Sequence, residues 1–229
     1  MLRRYQLNWT RAVGAAHSFF RQALVPALNR LGINPVGVFN VIIGPDTPSI
    51  YVLLPCTSLD ALVNVEALLG RDQEYLKAGE PFINAPAKQP AYSRMQSSLM
   101  LALEGRPKLM VPPATAKHEP RLFELRVYEA PTDQDHKRKI EMINAGYYDV
   151  FQKAGFWQIF YGDMLVGTGM PNLAYMLGFT DLTDRTKKWE AFYALPEWKS
   201  LEGNPRYTFE EIVSRITNII LRPADYSQI

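Results

Sequence analysis

Two short stretches carry the residue types best suited to chemistry. In Phe123-Glu124-Leu125-Arg126-Val127-Tyr128 a carboxylate, a guanidinium and a phenol recur at every second position. Near the start, Arg4, Gln6 and Asn8 alternate in the same way with Tyr5, Leu7 and Trp9. A period of two is that of a half-buried strand. The apolar set should then pack on helices while the polar set points to the opposite face. On that face Arg4, Gln6, Asn8, Glu124, Arg126 and Tyr128 are candidate ligand-binding residues, and Glu124 is a candidate general base. The structural alternative is that Glu124 and Arg126 neutralise one another across strands.

His136 is the second catalytic candidate. It lies one turn before Ile140, at the edge of an apolar helix stripe, where a proton carrier and a histidine bordering the core are both consistent with the pattern. His17 sits in an equivalent helix about one turn out of step, and His118 lies in a proline-rich segment. Such scattered histidines have no metal-ligand spacing, and a lone Cys56 excludes both an internal disulfide and a cysteine cluster, so no metal site is expected. The Gly162, Gly167, Gly169 stretch precedes a strand rather than a helix, so it reads as a hairpin and not a phosphate cradle. Lys137-Arg138-Lys139 reads as a solvated face at a helix start, and Trp189, Phe192 and Trp198 as core aromatics at helical spacing. No Ser-His-Asp or Cys-His signature has its local context.

The elements that position these residues follow from periodicity. After the first strand, Ala16, Phe19, Phe20, Ala23, Ala27, Leu28 and Leu31 have helical spacing. Pro26 should kink or split that helix, and Gly32 suits its end. Strands over 36–43 and 50–54 flank the turn Gly44-Pro45-Asp46-Thr47-Pro48. Ser58 can cap the next helix, and a short helix over 72–78 should stop at Gly79 and Pro81. A strand over 92–103 closes the half. The order β-α-β-β-α-β is the ferredoxin-like arrangement. Residues 106–120, with four prolines, read as a semi-rigid linker.

The order then repeats: a strand from Phe123, a helix capped by Thr132 with Asp135 and closed by Gly155, strands 156–161 and 173–179 around the 162–171 hairpin, a helix from Thr183, a short helix opened by Pro196, and a final strand region over 207–221. Gly32 matches Gly155, Tyr51 matches Tyr175, and Glu74-Tyr75 matches Glu197-Trp198, at a spacing of about 123 residues. One tandem duplication accounts for the chain, with repeats over 1–105 and 121–229. Each one-sided sheet must bury its other face against its partner.

The strand Phe123–Tyr128, the block Met170-Pro171-Asn172-Leu173-Ala174-Tyr175-Met176-Leu177, Trp189-Glu190-Ala191-Phe192 and Pro196-Glu197-Trp198 resemble the NIPSNAP family. The first repeat resembles it more loosely, having no counterpart of Trp189 and a shorter hairpin. The resemblance implies an α+β fold of the dimeric α+β barrel superfamily, with two ferredoxin-like repeats closing one barrel within the chain. Superfamily members include cofactor-free monooxygenases, isomerases, haem-binding enzymes and proteins without known activity, and by that analogy His136 would be a haem ligand or proton carrier. The family has no agreed reaction, so fold analogy supplies no function.

Composition narrows the remaining classes. Hydrophobic residues at 47% and charged ones at 21% are ordinary for a soluble globular chain, and a net charge of +2 does not advertise nucleic acid. No apolar run reaches the roughly 20 residues of a membrane span. Arg3-Arg4 lacks the apolar region of a twin-arginine signal, so a cytoplasmic location is the default, with export if a leader has been trimmed. The expected function is small-ligand binding in the barrel without a cofactor. The alternatives are a cofactor-independent monooxygenase or isomerase, and an interaction scaffold; a homo-oligomer is compatible with each.

Overall fold

The computed structural model describes residues 1–8 and 10–229 and divides them into two units, Met1–Ser97 with Arg222–Ile229, and Ser98–Leu221. Trp9, the last member of the first alternating set, lies outside the described residues.

In the first unit, β1 (Leu2–Gln6) pairs antiparallel with β3 (Ser49–Leu53), which pairs with β2 (Gly37–Ile43). The first helical run comprises α1 (Thr10–Phe19), a widened π-type turn over Phe20–Leu24, and α2 (Val25–Arg30). Pro26 falls in the first turn of α2, where its missing N–H is tolerated. Gly32 follows with φ +76°, a conformation glycine adopts without a Cβ clash. Ser58 Oγ accepts from Ala61 N and starts α3 (Leu59–Val63), and α4 (Val65–Leu69) continues after Asn64.

The helix expected to stop at Gly79 runs on as α5 (Gln73–Ile83), with Pro81 inside it. The reason is packing. Phe82 stacks on Phe19 with centroids 4.2 Å apart, and a Cβ at Gly79 would meet the Phe19 ring at 3.0 Å. That contact outweighs one missing helix bond. β4 (Arg94–Ala102) follows, and the C-terminal tail lies beside β2, with Ala224 N donating to Val38 O and Gln228 N to Val36 O.

In the second unit the proline-rich segment is packed rather than free. Met110 N donates to Ile159 O, Arg106 lies over the Tyr148 ring, and α6 (Pro113–Ala116) buries Ala114. β5 (Leu122–Glu129) leads through the Thr132 cap to α7 (Asp133–Met142), a second π-type turn over Ile143–Tyr147, and α8 (Tyr148–Lys153). This turn sits 123 residues after the first and needs no proline, since Gly146 at φ +140° opens it. β6 (Trp157–Val166) is longer than expected; Gly162 lies within it, paired with Ala174, and the turn is confined to residues 167–171 before β7 (Asn172–Phe179). α9 (Leu182–Ala194) is capped by Asp181, and Pro196 opens α10 (Pro196–Glu202). A 3-10 turn over Pro205–Tyr207 and α11 (Phe209–Ile212) replace the first part of the expected final strand, leaving β8 (Arg215–Pro223). The strand order is β8-β5-β7-β6, with residues 99–102 of β4 paired to β6. An aromatic core joins sheet to helices: Phe151 lies 4.8 Å from Phe192 and 5.7 Å from Trp189. Among the described residues no helix is long and apolar enough to cross a membrane.

Candidate functional site

β5 is covered on both faces: Phe123 and Leu125 are buried on one, and Glu124, Arg126 and Tyr128 on the other. Glu124, Arg126 and Tyr128 turn toward the helices of their own unit, contrary to the expectation that they face away. Glu124 Oε2 accepts from Trp189 Nε1 at 3.0 Å and Arg185 Nε at 2.9 Å; Oε1 accepts from Arg185 Nη2 at 2.8 Å and Arg126 Nη1 at 3.1 Å. Four donors occupy the lone pairs a general base would need. Arg126 also donates from Nε and Nη2 to Tyr128 Oη, at 3.1 and 2.8 Å, and its guanidinium lies 4.6 Å from the Trp189 ring. Tyr175 Oη donates to Tyr128 Oη at 3.2 Å, and burial raises the Tyr175 pKa well above its ordinary value. Every strong polar atom here is committed to a neighbour.

Lys139, read as part of a solvated run, is instead 1% exposed. Its Nζ sits over the Tyr128 and Tyr147 rings at 4.9 and 5.1 Å and contacts Met142 Sδ at 3.6 Å. Burial, reinforced by the Arg126 charge, lowers its pKa to about 7. The signal was in the spacing, because position 139 falls three after His136 and four before Ile143, on the buried stripe. One turn back, His136 Nε2 lies 2.7 Å from Asp163 Oδ1 of β6, a partner the sequence did not suggest, while its Nδ1 is buried without one. Among the described residues no cluster of His, Cys, Asp and Glu has metal-binding geometry.

In the first unit the same position on the helix-facing side belongs to Arg3 and Tyr5, 123 residues before Arg126 and Tyr128. Arg3 is 3% exposed. Its Nη2 lies 2.7 Å from Glu66 Oε1, and its Nε is buried with no hydrogen-bond partner. Glu66 occupies the α4 position equivalent to Trp189. Leu24, Leu69 and Tyr75 likewise stand where Tyr147, Phe192 and Trp198 stand in the second unit. Smaller side chains leave a cavity of about 190 Å³, lined by Arg3, Tyr5, Glu66, Tyr75, Phe82 and Tyr92 among others. Burial raises the pKa of both Tyr5 and Tyr75, so their phenols stay neutral donors.

The residues proposed from β1 lie elsewhere. Arg4 Nη1 donates to Asp46 Oδ2 at 2.7 Å, Gln6 Nε2 reaches Asp46 Oδ1 at 3.5 Å, and Asn8 is exposed. Arg4 and Gln6 share the face opposite Arg3 and Tyr5. Tyr51, paired with Arg4 in register, shares that face; the position equivalent to helix-facing Tyr175 is Val52.

Comparison with known proteins adds the following. Residues 123–228 match the NIPSNAP family. A NIPSNAP-like domain protein from Burkholderia xenovorans is 21% identical over 48% of this chain and 90% of its own, with a TM-score of 0.43. Two structures align across 97% of this chain and 90% of theirs: a protein named "Putative monooxygenase" from Fusobacterium nucleatum, at 9% identity and TM-score 0.59, and an anthrone oxidase-like protein, at 12% and 0.54. No curated protein sequence matches the chain. The whole-chain fold is therefore the monooxygenase-like α+β fold of these neighbours.

Proposed function

With residues 123–228 forming a NIPSNAP domain, we propose that this is a ligand-binding protein that holds a small molecule without a dedicated cofactor. The strand order β8-β5-β7-β6 is that of a ferredoxin-like unit, and we take the first unit to be its diverged copy. The single observation that carries ligand binding is the buried, unpartnered Nε of Arg3, a residue that lines a 190 Å³ cavity. A buried N–H without a partner is costly and rare, and a ligand oxygen would satisfy it. The site thus moves from the face carrying Arg4, Gln6 and Asn8 to the helix-facing side of the same strand. The test is native mass spectrometry of the full chain, with melting curves against small neutral, cationic and anionic aromatic compounds. A retained or stabilising small molecule is expected; no retained mass and no shift with any compound would overturn the reading.

A second reading is a cofactor-independent oxygenase, favoured by Lys139. An amine whose pKa burial lowers to about 7 beside a phenol has the chemistry of a general base, and with Lys139 1% exposed a substrate reaches it only when the surrounding side chains part. The names of the fold neighbours point the same way by analogy only. Anthrone is the probe: oxygen uptake above buffer that disappears in Lys139→Met supports this reading, and no uptake contradicts it.

A further inference from the structure

We propose that the cavity beside Arg3 selects a small aromatic carboxylate, with Glu66 as a built-in competitor that leaves when the ligand arrives. This rests on the reading that the cavity holds a ligand and names its chemistry.

The charge comes first. Arg3 is a permanent cation 97% removed from solvent, and its present counter-ion is weakly tied, because the Glu66 side chain is 65% exposed on a short helix. The contrast with the second unit is direct. There the equivalent arginine pairs with Glu124 of its own strand, a fully buried carboxylate fixed by four donors from Arg126, Arg185 and Trp189. The first unit has Met1 where that carboxylate would be, and an exposed glutamate where the second unit has Trp189.

The guanidinium edge selects next. Glu66 Oε1 lies 2.7 Å from Nη2, and the adjacent Nε–H is buried without a hydrogen-bond partner. A ligand carboxylate can bridge Nε and Nη2 in the parallel, two-bond geometry that guanidinium favours. A neutral amide offers one acceptor to that edge, and a cation is repelled by it. Glu66 can then swing into water, where its charge is well solvated.

The walls choose the rest of the molecule. Tyr5, Phe82 and Tyr92 meet at centroid distances of 5.5–6.4 Å, with Phe19 stacked behind Phe82. Such ring edges and faces favour a flat aromatic body. The volume lies below the roughly 300–1,000 Å³ of drug-sized sites, which limits the ligand to about one ring.

The experiment is calorimetric titration of the full chain with benzoate, benzamide and benzylamine. Benzoate is expected to bind at least about tenfold tighter than benzamide, with benzylamine not binding. Glu66→Gln, on the exposed side, should tighten benzoate severalfold by removing the competitor. Arg3→Lys should weaken it at least about tenfold, with circular dichroism showing that the variant remains folded. Benzamide or benzylamine binding as well as benzoate would overturn the carboxylate inference while leaving ligand binding intact. So would a Glu66→Gln variant with unchanged benzoate affinity. Failure of all three probes would overturn this inference, and with it the ligand reading if the melting and mass measurements were also blank.

Discussion

Glu66 and Trp189 hold equivalent helix positions 123 residues apart, and each lies against the arginine of its own unit. Glu66 Oε1 is 2.7 Å from Arg3 Nη2, and the Trp189 ring is 4.6 Å from the Arg126 guanidinium carbon. The two units share the arginine and differ in what answers it. In one unit an indole and a strand carboxylate seal the guanidinium; in the other an exposed carboxylate covers it beside a cavity.

Removing one carboxylate should therefore be more damaging than removing the other. Glu124→Gln leaves the buried Arg126 and the half-buried Arg185 without their counter-ion and should cost about 3–5 kcal/mol. Glu66→Gln removes an exposed carboxylate from the buried Arg3 and should cost less, about 1–3 kcal/mol. Urea unfolding of both variants checks this; equal losses would contradict the assignment of the two sites.

Tyr128→Phe removes the acceptor for two Arg126 N–H groups inside the core. The expected loss is about 1–3 kcal/mol, the cost of stranding a buried donor. Thermal unfolding that matches the wild type would show that Arg126 finds another partner.

Lys139 should make stability rise with pH. Below about pH 7 both the folded and the unfolded chain hold the proton, so the folded state bears the full cost of a buried ammonium. Between about 7 and the ordinary 10.5 only the unfolded chain holds it, so stability increases by up to about 1.4 kcal/mol per pH unit. Lys139→Met lacks this rise and should be more stable than wild type at pH 6, the gap narrowing toward pH 10. Parallel stability profiles for the two proteins would contradict a buried lysine with a lowered pKa.

Gly32→Ala and Gly155→Ala test the internal repeat. Both glycines end helices at left-handed φ, +76° and +81°, and no side chain crowds either closely. Each substitution should cost about 1–2 kcal/mol through backbone strain alone. Unfolding experiments giving a loss in one and none in the other would show that the two helix ends are not equivalent.

The features written locally in the sequence are those the structure carries: the Gly32 and Gly155 ends, the Ser58 and Thr132 caps, and Pro196 opening its helix. The face of β5 was not legible by alternation, because Phe123 and Glu124 are both 0% exposed and burial distinguishes neither side. The repeat spacing did contain the answer. Being odd, it maps Arg126 onto Arg3 rather than Arg4, and a one-residue slip reverses every side chain. Lys139 was misread because a run of three basic residues suggests solvent, although the helical period puts its last member on the core stripe. The cavity is lined by Leu24, Glu66 and Tyr75 among others, and no single stretch of sequence brings these together.

The central claim concerns one place in the molecule, so the most direct measurement locates a ligand there. A crystal structure of the full chain soaked in benzoate should show the carboxylate on Arg3 Nε and Nη2, its ring among Tyr5, Phe82 and Tyr92, and Glu66 turned to solvent. Benzoate absent from that cavity, with Glu66 still on Arg3, would contradict the account.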